Sequence, residues 1–147
     1  FAQIMSSLNL SDSRISFSYK DSGTSVGMKA AGVPDPTGAK AEGLKLKWVP
    51  QNGAANIQGQ VAAYYIGRFL GMSKIVEPSA RYRIDSGLLA KFVRMMNAKK
   101  EKNKHRRENK ANLLSAAEKD SSGMTGVITK KRKKAGKHHL TGNISAA

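Results

Sequence analysis

The chain has 147 residues, enough for one domain with a hydrophobic core and too few for two full domains. It has no cysteine, which excludes disulfides and thiolate metal sites, and no apolar run approaches the roughly 18 residues that a membrane-spanning helix needs. Its 26 Lys and Arg against 10 Asp and Glu give a net charge of +16, which favours a polyanionic partner.

The first third of the chain predicts three strands. The stretch SRISFSY, residues 13–19, places an apolar side chain at every second position, as a half-buried strand does. The turn residues KDSG separate it from a weaker strand in TSVGMKAAG, so a hairpin is expected. Residues 31–43 hold two prolines and three glycines and predict a loop. Leu44–Pro50 alternates again and predicts a strand that its proline ends or confines to an edge.

The middle of the chain predicts an amphipathic helix over residues 57–70, with Gly71 as the residue that closes it. One side of this helix carries small residues at every fourth position, which would let another backbone approach closely. Another side carries an apolar stripe. The stripe consists of Ile57, Val61, Tyr65 and Phe69, with Ala62, Ile66 and Leu70 beside it, and the small residues are Gly59, Ala63 and Gly67.

The segment KIVEPSARYRI then predicts an extended or strand segment broken at Pro78. Asp85 or Ser86 can cap a second helix, whose apolar residues keep helical spacing as far as Met96. Residues 99–110 contain no apolar side chain, so this part is not expected to bury a stripe against a core. Residues 121–147 are rich in Gly, Ser, Thr and Lys, a composition that does not offset its own ordering entropy.

These elements predict an α+β fold. We expect a domain over residues 1–98, in which a small antiparallel sheet packs on the amphipathic helix 57–70 and a second helix follows. A basic helix over residues 99–120 and a basic flexible tail over residues 121–147 complete the predicted organisation.

The C-terminal third of the chain is the most basic part. Residues 99–147 hold 14 basic and 4 acidic side chains, and charge at this density neutralises phosphates with little sequence preference. A helix charged on all sides suits a groove or a pocket between RNA helices. A solvated helix with a disordered tail, or a nuclear-import signal, is the alternative interpretation. The candidate nucleic-acid-binding residues are Lys99, Lys100, Lys102, Lys104, Arg106, Arg107, Lys110, Lys130, Lys131, Arg132, Lys133, Lys134 and Lys137.

The three histidines do not predict a metal site. His105 lies within the first basic cluster, and His138 and His139 are adjacent in the second. A metal site needs facing ligands and a neutralising shell, whereas this neighbourhood repels cations. We therefore expect no metal and no cofactor, and interpret the histidines as further phosphate contacts or exposed side chains.

A second hypothesis comes from the segment LKLKWVP followed by GQVAAYYIGRFLGMSKIVEP. Over roughly residues 13–85 the chain resembles the N-lobe of atypical kinases related to the Golgi casein kinase family and the phosphoinositide kinases. The resemblance implies that Lys47 holds nucleotide phosphates and that the hairpin around Gly23 covers them. The matching helix and strand positions are Val61, Ala62, Ala63, Tyr64, Ile66, Arg68, Leu70, Gly71 and Val76.

The resemblance does not extend to a complete catalytic site. Gln60 stands where that family has a helix glutamate that pairs with the lysine. Phosphoryl transfer also needs a catalytic Asp and metal ligands from a second lobe, and no acid beyond Ile84 lies in such a setting. No GxSxG elbow and no GxxxxGK[ST] loop occurs either. An enzyme is therefore not the expected function of this chain.

The sequence favours a basic structural protein that binds nucleic acid, RNA rather than DNA, as a component of a ribonucleoprotein or ribosome-like assembly. Other proteins of such an assembly are expected partners, and an intracellular location is favoured. The alternative is a kinase-like N-lobe, as a fragment, split subunit or pseudokinase, with Lys47 and Gln60 at its nucleotide site. That alternative predicts a nucleotide-sized cleft beside Lys47.

Overall fold

The computed structural model describes residues 8–21, 23, 25–39, 41–51, 57–71 and 78–130, with the side chains of residues 57–60 left out. An antiparallel sheet and three helices make up this part of the chain, which confirms the predicted α+β fold. The elements are β1 (Ser16–Lys20), β2 (Gly27–Val33), β3 (Leu44–Pro50), α1 (Ile57–Phe69), β4 (Ser79–Asp85), α2 (Ser86–Ala98), α3 (Lys104–Lys119) and β5 (Gly123–Lys130).

The five strands form one sheet in the order β1-β2-β3-β5-β4, with every neighbouring pair antiparallel. β1 and β2 form the expected hairpin, in which Phe17 lies opposite Ala30. β5 lies between β3 and β4, so that Trp48, Ile128 and Ala80 share one row across the three strands. The last strand of the described residues therefore joins the two strands that precede α1 and α2.

The position of β5 corrects the interpretation of residues 121–147 as a flexible tail. Gly123–Lys130 pairs with β3 on one side and with β4 on the other. Composition alone indicated too few apolar residues to offset ordering entropy, but the two neighbouring strands supply hydrogen bonds and burial that an isolated segment lacks. Val127 and Ile128 are almost fully buried there. Residues 131–147, the rest of the predicted tail, lie outside the described residues.

The two faces of the sheet differ in chemistry because side chains alternate along each strand. The first face carries Leu46, Trp48 and Ile128, which belong to the hydrophobic core, and α2 packs on it. The rings of Trp48 and Phe92 meet edge to face, with centroids 5.4 Å apart and an interplanar angle of 88°. The helical layer formed by α2 and its neighbour α3 thus covers the apolar face.

Trp48 lies across β5, and the sequence of β5 makes room for it. The indole Nε1–H donates to the carbonyl oxygen of Tyr82 at 3.0 Å, which satisfies the one polar group of this buried ring. At Gly126, a Cβ atom would lie 2.5 Å from the carbonyl oxygen of Val49 and 2.7 Å from Cε2 of Trp48. A residue without a side chain is therefore required at this point of the strand.

α2 begins as predicted. Asp85 is its N-cap, and the carboxylate accepts a hydrogen bond from the backbone N–H of Leu88 at 2.8 Å. Leu88, Leu89, Phe92 and Met96 are the buried residues of this helix, at the spacing that the sequence indicates.

α1 begins at Ile57 as predicted and ends at Phe69, with Gly71 at positive φ after it. Its apolar stripe, however, faces outward: Tyr65 is 51% exposed, Ile66 58%, Phe69 91% and Leu70 62%. Tyr64 and Gly67 are buried instead. The helix contacts β4 and β5, as the predicted packing of sheet on helix requires, but the side turned inward carries Tyr64 and Gly67 rather than this stripe. In the described part of the chain, no helix is long and apolar enough to cross a membrane.

Candidate nucleic-acid interface

The first predicted basic cluster lies at the turn between α2 and α3 and in the first turns of α3. The side chain of Asn103 caps α3 by accepting hydrogen bonds from the backbone N–H groups of His105, at 2.8 Å, and Arg106, at 3.3 Å. The cap holds the lysines of the turn at a defined place beside the β1–β2 hairpin. The cluster is therefore part of the folded domain.

Arg106 does not belong to this exposed surface, which corrects its assignment as a nucleic-acid-binding residue. Its side chain is buried, and the guanidinium donates to both carboxylate oxygens of Glu101, at 2.9 and 3.2 Å. The remaining N–H groups donate to the backbone carbonyls of Gly23, Ser25 and Lys20. All five guanidinium donors are thus used within the domain.

The burial of Arg106 also corrects the expectation that the basic segment buries nothing. α3 turns Arg106, Asn109, Leu113 and Ala117 inward, at helical spacing. Charge-based reasoning missed this because a guanidinium whose donors are all paired can occupy a core position that an unpaired charge cannot.

Glu101 is the acid at the centre of this arrangement. Tyr19 donates its hydroxyl to Glu101 at 2.7 Å, and hydrogen bonds from Arg106 hold the pKa of the carboxyl below its ordinary value. Burial, and then the hydrogen bond to Glu101, raise the pKa of Tyr19. The one acid among residues 99–107 is therefore paired internally with Arg106.

The exposed remainder of the cluster, which we call the basic turn, consists of Lys99, Lys100, Lys102, Lys104 and Arg107. Two of its members form loose ion pairs: the ammonium of Lys99 lies 3.8 Å from the carboxylate of Asp21, and that of Lys104 lies 4.0 Å from the carboxylate of Glu108. These pairs are exposed and of the kind that contributes little to stability.

Two predicted residues of the cluster are held against the domain. Arg107 is exposed but donates to the carbonyl oxygen of Lys102 at 2.7 Å. Lys110 is half-buried, and its ammonium donates a hydrogen bond to the carbonyl oxygen of Lys99, which ties α3 to the start of the turn. His105 is exposed on the same helical turn.

The basic turn is electrostatically unfavourable for the helix that carries it. The N-terminus of a helix has a partial positive charge, so acidic side chains there stabilise the helix and basic side chains destabilise it. The first turn of α3 contains Lys104, Arg106 and Arg107 and no acid. Arg106 is offset by its internal pair with Glu101, so the uncompensated cations of this turn are the exposed Lys104 and Arg107.

The second predicted cluster lies largely outside the described residues. Lys130 ends β5, where it is half-buried, and its backbone N–H donates to the carbonyl oxygen of Pro78 at 3.0 Å. Lys131, Arg132, Lys133, Lys134 and Lys137 follow it beyond the part of the chain that the structure describes.

A further group of basic residues lies on the second face of the sheet. By the strand register, every basic strand residue except Lys130 points to the face opposite Trp48. The alternation of basic and apolar residues in LKLKWVP and SARYRI is the sequence signal for this group. Neither segment alone indicates that the two strands lie in one sheet with their basic side chains on the same face. The members that are exposed or half-buried, which we call the basic sheet face, are Lys29, Lys45, Lys47, Arg81 and Arg83.

The residues of the kinase-like alternative are only partly described. Lys47 is half-buried on the basic sheet face, directly opposite Lys29 of β2. The side chain of Gln60 lies outside the described part of α1. The resemblance to an atypical kinase N-lobe therefore stays a prediction.

Within the described residues, no group of three His, Cys, Asp or Glu side chains could hold a metal ion. Comparisons of the chain with protein-family models, with curated proteins and with solved structures gave no match.

Proposed function

We propose that the chain is a structural nucleic-acid-binding protein, with RNA preferred over DNA, that contributes to a ribonucleoprotein such as a ribosome-like assembly together with other proteins. The observation that carries this proposal is the basic turn. Its five basic side chains are exposed on a capped helix end, while the acid among them, Glu101, is already neutralised inside the domain.

Binding would act through the phosphate backbone. Each lysine that contacts a phosphate releases condensed counterions, so affinity comes from charge and falls steeply with added salt. Residues 99–107 contain no Phe, Tyr or Trp side chain on which a base could stack. Contacts of this type position a protein on nucleic acid without reading its sequence.

RNA is preferred because the chain has none of the spacings of zinc fingers, and no basic zipper. A folded body with exposed basic segments suits the irregular phosphate arrangement of folded RNA, which proteins recognise mainly by shape and backbone. The run Lys130–Lys134 continues the positive charge beyond β5.

The test is binding of the full chain to a fluorescent RNA hairpin over a salt series. The variant Lys100→Gln/Lys102→Gln/Lys104→Gln removes three charges from the basic turn. The matched control Lys91→Gln/Arg94→Gln/Lys119→Gln removes three exposed charges from other parts of α2 and α3. We expect the negative slope of log K against log salt to become less steep by roughly 2 to 3 in the first variant, at about 0.7 to 0.9 per lost phosphate contact.

The control should bind like the wild type, and a DNA hairpin of the same sequence should bind more weakly. Equal losses in both triple variants would mean that net charge, rather than the basic turn, drives binding. A wild-type chain that shows no salt-dependent binding to RNA would refute the proposal.

A further inference from the structure

The positive charges of the basic sheet face have few acidic partners among the described residues. Among the described residues, only Arg83 of this face forms an ion pair, with the exposed Asp120 at 3.6 Å. The strands contain a single acid, Asp85, which lies at the end of β4 and is engaged by the N-terminus of α2 and by the hydroxyl of Ser11. Charges of one sign are thus gathered on a surface whose own elements do not neutralise them.

The strand register brings two of these charges together. Lys29 of β2 and Lys47 of β3 are direct cross-strand neighbours, an arrangement in which like charges destabilise a sheet. Lys45 lies two residues before Lys47 on the same face, and Arg81 and Arg83 repeat the pattern on β4. Positions where a fold keeps an unfavourable local arrangement are candidates for function.

The basic sheet face and the basic turn lie in different layers of the molecule. The turn belongs to the helical layer, which packs on the face that carries Trp48. The side chains of the basic sheet face point away from that layer. One stretch of backbone phosphates on one side of the domain therefore does not reach both surfaces directly.

We propose that the basic sheet face is a second phosphate-binding surface, so that one chain holds two segments of nucleic acid at once. This inference rests on the proposed function. From β2 to β4 this face spans about 14 Å, which is three strand spacings. Val127 and Thr129 of β5 point to the same face between the lysines of β2 and β3 and the arginines of β4, and both are buried, so the two basic groups are separate and would hold different phosphates. Holding two segments is what a structural component of a folded RNA assembly does.

Bridging of two RNA molecules tests this inference. One RNA hairpin is fixed to beads, a fluorescent copy of it is in solution, and the full chain is added. The variant Lys29→Gln/Lys47→Gln/Arg81→Gln carries the test, and Lys91→Gln/Arg94→Gln/Lys119→Gln is again the charge-matched control. We expect the wild type and the control to retain fluorescent RNA on the beads and the sheet variant to lose this signal.

The sheet variant should still bind a single hairpin through the basic turn. Thermal unfolding checks that the sheet variant is folded. If its melting temperature is lower than that of the wild type, the double variant Lys45→Gln/Arg81→Gln, which changes two exposed side chains, replaces it in the bridging measurement. Bridging by these variants equal to that of the control would overturn the inference, as would a wild type that binds RNA without bridging. A wild type that binds no RNA would instead refute the proposed function.

Discussion

The side chain of Arg106 joins three parts of the molecule: the first turn of α3, the β1–β2 turn and Glu101 before the helix. The guanidinium also lies 5.8 Å from the centre of the Tyr19 ring. Because the hydroxyl of Tyr19 donates to the same carboxylate, one buried ion pair fixes the hairpin, the turn and the helix relative to each other. The basic turn owes its position to this internal pair.

We predict that Arg106→Ala destabilises the protein by about 3 to 5 kcal/mol. The substitution leaves the Glu101 carboxylate buried without its cation and three backbone carbonyls without their donor. Urea unfolding followed by circular dichroism measures the change in the free energy of unfolding.

Arg107→Ala is the matched control, because Arg107 is the neighbouring arginine and is exposed. It should change stability by less than about 0.5 kcal/mol while weakening RNA binding. If Arg106→Ala left stability unchanged and instead lowered the salt slope of RNA binding, Arg106 would be a phosphate contact and the internal role assigned to it here would be wrong.

Within the sheet, the pairing of β2 with β3 sets two lysines side by side, as described for Lys29 and Lys47. We predict that Lys29→Glu stabilises the protein by about 0.5 kcal/mol, since opposite charges replace like charges at a cross-strand pair. The same substitution should weaken RNA bridging, because it introduces an acid into the basic sheet face. Thermal unfolding and the bridging measurement, made on one preparation, report the two effects.

Lys29→Gln separates removal of repulsion from gain of attraction, and its stability should lie between those of the wild type and Lys29→Glu. A Lys29→Glu protein that is less stable than the wild type would show that the register of β2 and β3 does not place these side chains next to each other.

The elements that the sequence predicted well are those whose pattern is local. Leu44–Pro50 forms β3 with the predicted bounds because apolar and lysine side chains alternate from Leu44 to Trp48. Asp85 caps α2 because an N-cap depends on the three residues that follow it. In the candidate site, exposed lysines such as Lys100 and Lys102 were predictable from charge density alone.

What the sequence did not predict depends on partners far away in the chain. β5 is recognisable as a strand only when β3 and β4 are beside it, and its paired positions on β3 are 76 to 84 residues away in the chain. The orientation of α1 depends on which of its sides meets β4, a choice that helical periodicity does not contain. In the sequence, Arg106 cannot be distinguished from the exposed basic residues around it. Its burial depends on the backbone carbonyls of the β1–β2 turn, which accept hydrogen bonds from its guanidinium.

The whole molecule depends on β5, because this strand links β3 to β4. We predict that a chain ending at Lys130 keeps a cooperative unfolding transition, whereas a chain ending at Asp120 does not. Without β5, the indole of Trp48 loses its contact with Gly126, and its backbone loses the paired residue Ile128. The single tryptophan reports this directly: its fluorescence should shift to the red in the shorter chain and stay blue in the longer one.

The same pair of chains checks the predicted division of the molecule after residue 120. A chain ending at Asp120 that retained a buried Trp48 and a sharp melting transition would show that the first four strands and the helices form a stable unit alone, contrary to the prediction.

The place of β5 also sets the order of events during translation. β3 and β4 leave the ribosome first, and the strand that pairs with both is made only when Lys130 has been added. Until then each of the two strands has an open edge, which in a nascent chain is a template for pairing with the wrong partner. Lys45, Lys47, Arg81 and Arg83 lie on those two strands, and charges placed there keep such edges apart. The residues proposed to hold RNA in the finished protein would thus first protect the unfinished one from aggregation.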